Sequence, residues 1–352
     1  MRILIVKLSA IGDVVHTLPA LTTLRRHFPE ARISWLVEAA GGELIQGHRA
    51  LSHRILLPRH EWRRLSRGGR WWASVAQFVG FLREFRQERY DLAIDFQGLA
   101  KSAVWMAFAR ARRKAGFGSG MQSREGAWLA LNERVPPVSP DIHALERGLL
   151  LLESVGFSRL PLRYDLEPGP QAAAEVVPLL HAVGVGDGVP FVVVNPITRW
   201  PTKDWEPSRF ASVVDALEGA GLPAVFTGAP GDCEAIDAIA AHMTSKPRRL
   251  EGRTRLAGLA ELCRRARVVL STDTGPMHIA AAVGTPVVAL FGPTAPCRTG
   301  PYGEGHVVIR AGLDCSPCFK RRCETKRHEP RACMLRIEPS AVVAAVLRQA
   351  GR

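Results

Sequence analysis

Long apolar runs are absent. A helix that spans a bilayer needs about 20 consecutive apolar residues, and no stretch of the chain offers them, which excludes transmembrane helices. A secretory leader is missing too. Arg2-Ile-Leu-Ile-Val6 has the composition of a strand and is followed by a polar loop, not by a small-residue cleavage site. A cytoplasmic location is therefore expected. Acids are scarce: 33 Asp+Glu stand against 47 Lys+Arg, a formal net charge of +14. The imbalance is uneven, with 25 Lys+Arg to 16 Asp+Glu in residues 1–168 (net +9) and 22 to 17 in residues 169–352 (net +5). It is sharpest between Arg49 and Arg83, where Glu61 is the only acid. A basic surface calls for an anionic partner: a nucleic acid, an anionic membrane face or a phosphorylated substrate. Nucleic acid is disfavoured, because the aromatics (7% of residues) form no stacking platform and no recognition motif is present. No clear Asp-x-Asp metal signature occurs either.

What is present is a soluble α/β chain. At 352 residues, with 47% hydrophobic content, it is too long for one ordinary core, and two domains are expected. Strand and helix patterns alternate through both halves, which implies parallel sheets with right-handed crossovers. Residues 159–190, rich in Pro and Gly, read as the linker region. The expected division is 1–168, 169–336 and a C-terminal helix in 337–352 packing back on the first domain.

The stretch from Val268 to Gly292 organises the second half. Val268 to Leu270 reads as a buried strand, Asp273-Thr274-Gly275 as a turn and Pro276 as the first helical position. Gly284 and Pro286 stop that helix, and Val287 to Phe291 is a second buried strand. Helix amides at such a turn suit a phosphate or sugar oxygen. Gly275 lets a ligand approach the backbone, Asp273 can accept sugar hydroxyls, and Thr274 and His278 lie in the first turn. The competing reading is a well-capped buried helix whose Asp and Thr satisfy its amides. Lys203, in a loop after a predicted strand, can neutralise a phosphate. Glu234, early in a helix, can bind ribose hydroxyls or complement the helix dipole.

In the first half, a strand over Ile3 to Val6 leads through Lys7-Leu-Ser9-Ala-Ile-Gly12-Asp13 into a helix. Asp13 is either a helix cap or a carboxylate at the C-terminal edge of a strand, where open α/β sheets bind ligands. Residues 49–72 carry seven arginines together with Trp62, Trp71 and Trp72. Arginine and tryptophan together suit a membrane interface or a polyanionic ligand. The alternative is a solvated surface helix and loop. Arg110, Arg112, Arg113, Lys114 and Arg124 form a second basic group. Near the C terminus, Cys315-x-x-Cys318-x4-Cys323-x9-Cys333, with His328 inside, has the ligand count of a structural metal or cluster. A cytoplasmic setting argues against disulfides there.

Three motifs carry a resemblance. Lys7-Leu-Ser-Ala-Ile-Gly12-Asp13-Val-Val-His16-Thr17-Leu-Pro19, Lys203-Asp-Trp205 and Asp273-Thr-Gly-Pro-Met-His278, continued by Phe291-Gly-Pro-Thr294, resemble the ordered motifs of glycosyltransferase family 9. These are the ADP-heptose:lipopolysaccharide heptosyltransferases. Asp95-Phe-Gln97-Gly-Leu-Ala-Lys-Ser102 and Gln122-Ser-Arg124-Glu look most like the heptosyltransferase I branch. The resemblance implies the GT-B glycosyltransferase fold, two Rossmann-like domains facing each other across a cleft. It also implies inverting transfer of heptose from ADP-heptose to Kdo-lipid A, at the inner face of the inner membrane. Asp13 would be the general base. Thr198, Lys203, Glu234, Asp273, Thr274, Gly275 and His278 would hold the donor. Arg59, Arg63, Arg64, Gln97 and Arg124 would hold the acceptor. No cofactor is implied for catalysis, the four cysteines being a site for a structural metal at most. A heptosyltransferase II-like acceptor or another donor is the near alternative, and a basic nucleic-acid-binding protein the remote one.

Overall fold

The computed structural model describes residues 1–351. The chain divides into two compact units at Leu166/Glu167. In the first unit the strands are β1 (Arg2–Val6), β2 (Arg32–Glu38), β3 (His53–Leu57), β4 (Arg89–Asp95), β5 (Arg110–Phe117) and β6 (Glu133–Val135). Its helices are α1 (Ile11–His27), α2 (Ala39–Leu44), α3 (Arg59–Arg67), α4 (Trp71–Phe85), α5 (Ala100–Phe108) and α6 (Ala144–Ser154). All six strands run parallel in the order β3-β2-β1-β4-β5-β6.

This sheet is buried on both faces, and β1 shows how. Ile3 and Ile5 point into the core beneath α1 and α6, with Leu18, Leu21, Leu151 and Leu152. Leu4 and Val6 point the other way, into a core with Phe85 and Trp105. The period-two alternation of a strand therefore serves two cores at once, and every position must be apolar. Burying each of these side chains contributes roughly 1.5–3 kcal/mol.

The second unit repeats the arrangement. Its strands are β7 (Val192–Asn195), β8 (Ala224–Phe226), β9 (Arg248–Arg249), β10 (Val268–Thr272), β11 (Val287–Leu290) and β12 (Val307–Ile309). Its helices are α7 (Pro170–Ala182), α8 (Pro207–Gly219), α9 (Cys233–Ala240), α10 (Leu256–Arg265), α11 (Gly275–Ala282), α12 (Pro296–Thr299), α13 (Ala332–Leu335) and α14 (Pro339–Ala350). The parallel order β12-β11-β10-β7-β8-β9 is the first sheet's order read from the other edge. In both sheets the winding reverses beside the unit's first strand, between β1 and β4 and between β7 and β10. Such a switch point leaves a crevice at the carboxyl ends of the strands, where open α/β sheets place their ligands.

Two expectations need correction. The Pro- and Gly-rich stretch 159–190 is not all linker: it contains α7, with Gly169 as its N-cap and Pro170 at its first turn. Gly184, at φ +78°, follows its end. Here Pro and Gly punctuate a helix. The C-terminal helix α14 is not a segment apart from 169–336: it buries Val342, Ala345 and Val346 in the second unit's own core, with Val213, Leu217 and Leu270. Among the described residues no helix is long and apolar enough to cross a membrane.

Candidate active site

The crevice of the first unit is built by the loops after β1 and β4. Lys7 follows β1 directly; its ammonium donates to the Phe96 carbonyl (3.0 Å) and lies 3.7 Å from Asp13 Oδ2. Gln97 Oε1 accepts the Leu8 and Ser9 amides (3.1 and 3.2 Å), fixing the path of the β1 loop. The β4 loop is held in turn by Asp95. Its carboxylate accepts the Gln97 and Gly98 amides (2.8 and 3.1 Å) and the Ser102 hydroxyl (2.9 Å). Burial holds the Asp95 carboxyl above the usual carboxylate range, opposed by those bonds and by Lys7. Gly98 has φ +64°, and a Cβ there would stand 1.9 Å from the Gln122 carbonyl oxygen, so the turn requires glycine.

A cavity of about 270 Å³ opens between these loops, lined by Lys7, Asp13, His16, Thr17, Gln97 and Arg124 among others. Asp13 is not the N-cap of α1. It is the third helical residue, and its Oδ2 accepts the amide of the N-cap, Ala10, at 3.2 Å. Its side chain is 43% exposed. The carboxylate is therefore anchored at a helix N-terminus and still open to the cavity. His16 lies one turn further on, its ring centroid 5.0 Å from that of His143.

The acceptor candidates separate. Gln97 and Arg124 line the cavity. The Arg124 amide donates to Gly98 O (2.8 Å) and its Nε to Met121 O (3.1 Å). Arg59 is paired with Glu38 at 3.1 Å. Lys101 belongs to the same group: burial pushes its ammonium down, Glu38 and Asp13 oppose the shift, and Arg59 and Lys7 add to it. Arg63 and Arg64 lie on the exposed face of α3 and do not line the cavity. Sequence reasoning passed over Lys7 and Lys101 as site residues; a lysine closing a fully buried strand is the signal that would have found the first.

In the second unit the crevice lies where β7 and β10 end. Lys203 donates to Asp273 Oδ2 at 2.6 Å and to the Asp273 carbonyl at 3.2 Å, and sits 4.7 Å above the Trp200 ring. Thr294 Oγ1 donates to the same carboxylate oxygen at 2.6 Å. Thr274 Oγ1 donates to Asn195 Oδ1 at 3.2 Å. The helix begins at Gly275, one residue before Pro276, with Thr274 as N-cap and no side-chain cap hydrogen bond. The competing reading from the sequence, in which Asp273 and Thr274 satisfy the helix amides, is thus not what the structure holds. Both side chains point elsewhere, so neither caps the start of α11. His278 is buried on α11. Thr198 shapes the Lys203 loop, its hydroxyl accepting the Trp200 amide at 2.9 Å. Glu234 is exposed in the first turn of α9.

Crevices of this make, one with a carboxylate and lysines, one with a lysine and a free helix N-terminus, suit transfer from an anionic leaving group. Residues 79–328 match the model of glycosyltransferase family 9 (heptosyltransferase). The chain belongs to glycosyltransferase family 9. It is 31% identical to Lipopolysaccharide heptosyltransferase 1 of Pseudomonas aeruginosa, over 97% of this chain and 96% of that one. It also resembles the solved structure of E. coli heptosyltransferase WaaC with ADP (TM-score 0.78, 26% identity, 99% and 100% coverage). A second structure of that enzyme, with ADP-2-deoxy-2-fluoro heptose, gives a TM-score of 0.70 at 28% identity, over 88% of this chain and 93% of that one. The protein is accordingly a glycosyltransferase of the heptosyltransferase family, and its two doubly wound units are those of the GT-B fold.

In this family 9 chain the cysteine loop is tied to the loops that carry Lys203 and Thr294. Cys318 and Phe319 amides donate to Pro293 O (3.0 and 2.8 Å), Thr202 Oγ1 donates to Lys320 O (2.8 Å), and Arg321 lies 5.1 Å over Trp200. None of the four cysteines forms a disulfide. Cys333 is pushed up to about 11, by burial first and then by Cys318, Cys315 and Cys323. Of the four cysteines expected as ligands, only Cys315 belongs to a group of close ligand atoms among the described residues: its sulfur and the ligand atoms of Asp314 and His328 lie within 4.8 Å of one another, and Cys318, Cys323 and Cys333 are not part of it. That donor set fits a metal ion of borderline softness.

Proposed function

We propose that this family 9 enzyme moves heptose from ADP-heptose to the Kdo sugar of Kdo-lipid A, with inversion and with Asp13 as general base. The observation that carries the reading is Asp13: a carboxylate fixed by the Ala10 amide, beside Lys7, and open to the cavity of the first unit. A base so placed can take the proton of an acceptor hydroxyl as its oxygen attacks the anomeric carbon. The bond from that carbon to the diphosphate then breaks, and ADP leaves with the charge. Lys203 and the uncapped amides of α11 are the groups suited to receive that charge. Asp273, held by Lys203 and Thr294, organises this cluster. Thr198 sets the Lys203 loop, Glu234 is assigned to the ribose, and Gly275 and His278 border the diphosphate.

On the acceptor side, Gln97 and Arg124 act in the cavity and Arg59 at its edge, while Arg63 and Arg64 receive the outer phosphates of lipid A. The enzyme works at the cytoplasmic face of the inner membrane, where such an acceptor is anchored. Its cysteine loop holds a structural metal, supported by the donor set of Asp314, Cys315 and His328, and transfer is not routed through it.

The test is release of ADP from ADP-heptose by the purified protein, with and without Kdo-lipid A. Release that depends on the acceptor is expected. Tight donor binding with no release in either case would overturn the acceptor assignment and favour a heptosyltransferase II-like acceptor. Neither binding nor release would overturn the reading as a whole.

A further inference from the structure

The apolar stripe of α4 is covered towards its C-terminal end and open at its start. Its inner face is packed: Phe78, Phe81 and Phe85 meet Trp105 at ring-centroid distances of 5.9, 5.3 and 5.5 Å. The first turn is open: Trp71, seven residues before Phe78 and so on the same stripe, and Trp72 are 48% and 69% exposed, their rings stacked on each other 3.4 Å apart. Val75 is 45% exposed on the next turn. Large aromatic side chains left in solvent at a helix start, flanked by cations, are the composition of an interfacial anchor and not of an ordinary solvated face.

The charge around this patch has one sign. Arg67 ends α3, and Arg70 is the N-cap of α4. Both are exposed, and neither has an ion-pair partner among the described residues. A protein partner of mixed charge would leave such a row unmatched. A planar, uniformly anionic surface with an apolar interior matches both the arginines and the tryptophans. α3, which Arg67 ends, is tied at its other end to the loop of the first unit's cavity. Arg59, the first residue of α3, pairs with Glu38, whose amide bonds to Leu8 O in the loop that leads to Asp13.

We propose that Trp71, Trp72 and Val75, with Arg67 and Arg70, dock the first unit on a bilayer of anionic lipid, the two indoles seated at the headgroup level. This deepens the reading of a membrane-borne acceptor. Its test needs no acceptor, so the two can fail separately.

The experiment is cosedimentation of the full-length protein with acceptor-free vesicles. One set is made of equal parts phosphatidylglycerol and phosphatidylethanolamine, the other of phosphatidylcholine alone. Binding to the anionic vesicles only is expected. Each cation near such a surface is worth about fivefold in partitioning, so Arg67→Gln with Arg70→Gln should weaken binding roughly 25-fold. Trp71→Ser with Trp72→Ser should weaken it by at least about tenfold. All four side chains are exposed, so melting temperature should hold for both double variants. Turnover on a soluble, delipidated acceptor sugar should hold as well. Wild-type protein that stays in the supernatant would overturn the proposal, as would double variants that bind like wild type. Binding that appears only when Kdo-lipid A is added to the vesicles would overturn it in favour of an acceptor subsite. Displacement from the vesicles by duplex DNA at equal phosphate would overturn it in favour of a nucleic-acid surface.

Discussion

Replacing Lys203 by Met should separate the ion pair that the structure shows from the diphosphate contact proposed for the same side chain. The Lys203 and Asp273 side chains are 14% and 7% exposed and lie 2.6 Å apart. Removing one partner of a buried ion pair strands the other charge, at a cost of about 3–5 kcal/mol. Thr294 still donates to the Asp273 carboxylate in the variant, and the pair is not wholly sealed. The expected loss is therefore at the low end, about 3 kcal/mol. Adding Asp273→Asn removes the stranded charge, and an amide oxygen still accepts from Thr294. The double variant should recover to within about 1 kcal/mol of wild type. Donor affinity should not recover. A charge-assisted contact to a diphosphate is worth about 1.5–3 kcal/mol, so both variants should bind ADP roughly 10- to 150-fold more weakly. Calorimetric unfolding reads the first quantity, and titration of ADP the second. A double variant no more stable than Lys203→Met would refute the stranded-charge account. A double variant that regains ADP affinity would show that Lys203 acts only by neutralising Asp273.

Three further outcomes are expected. Asp13→Asn keeps an acceptor for the Ala10 amide but no basicity, so kcat should fall about 10²- to 10⁴-fold with stability changed by less than about 1 kcal/mol. Near-normal turnover would mean that Asp13 only braces the helix start. Gly98→Ala drives a methyl group into the Gln122 carbonyl, a backbone atom that cannot swing aside. It should cost about 2–4 kcal/mol and raise the acceptor KM more than the donor Kd, because Arg124 hangs from the same turn; equal effects on both would count against that assignment. Protein purified under reducing conditions should carry close to one metal ion per chain by elemental analysis, and chelation should lower the melting temperature. A metal-free protein of unchanged stability would remove the metal.

Legibility in the sequence followed burial. β1, β7, β10 and β11 were readable because the buried part of a strand covered on both faces must be apolar, as Leu92 to Ile94 are in β4, and the motif residues stand where those strands end. Strand β5 was not, since Arg110, Arg112, Arg113 and Lys114 read as a surface basic group. The structure pairs this stretch with β4 along its length and with β6 only from Ala115, so its first half is a sheet margin that tolerates arginine. α7 was hidden by its own punctuation, proline and glycine serving there as cap and stop. In the candidate site, residue identity was legible but partnership was not. The sequence places Asp273, Thr274 and Lys203 at strand ends; that Asp273 turns to Lys203 and Thr294 depends on loops 70 and 21 residues away in the chain.

The anchorage of the cysteine loop has a further consequence. It is fastened to Pro293, beside the threonine that holds Asp273, and to Thr202, beside Lys203. Ordering that loop and seating a diphosphate thus draw on the same few contacts. Thermodynamic reciprocity then applies: whatever factor a folded loop adds to nucleotide affinity, the nucleotide returns to the folding of the loop. A segment that supplies none of the proposed catalytic groups would then set part of the enzyme's affinity for its nucleotide.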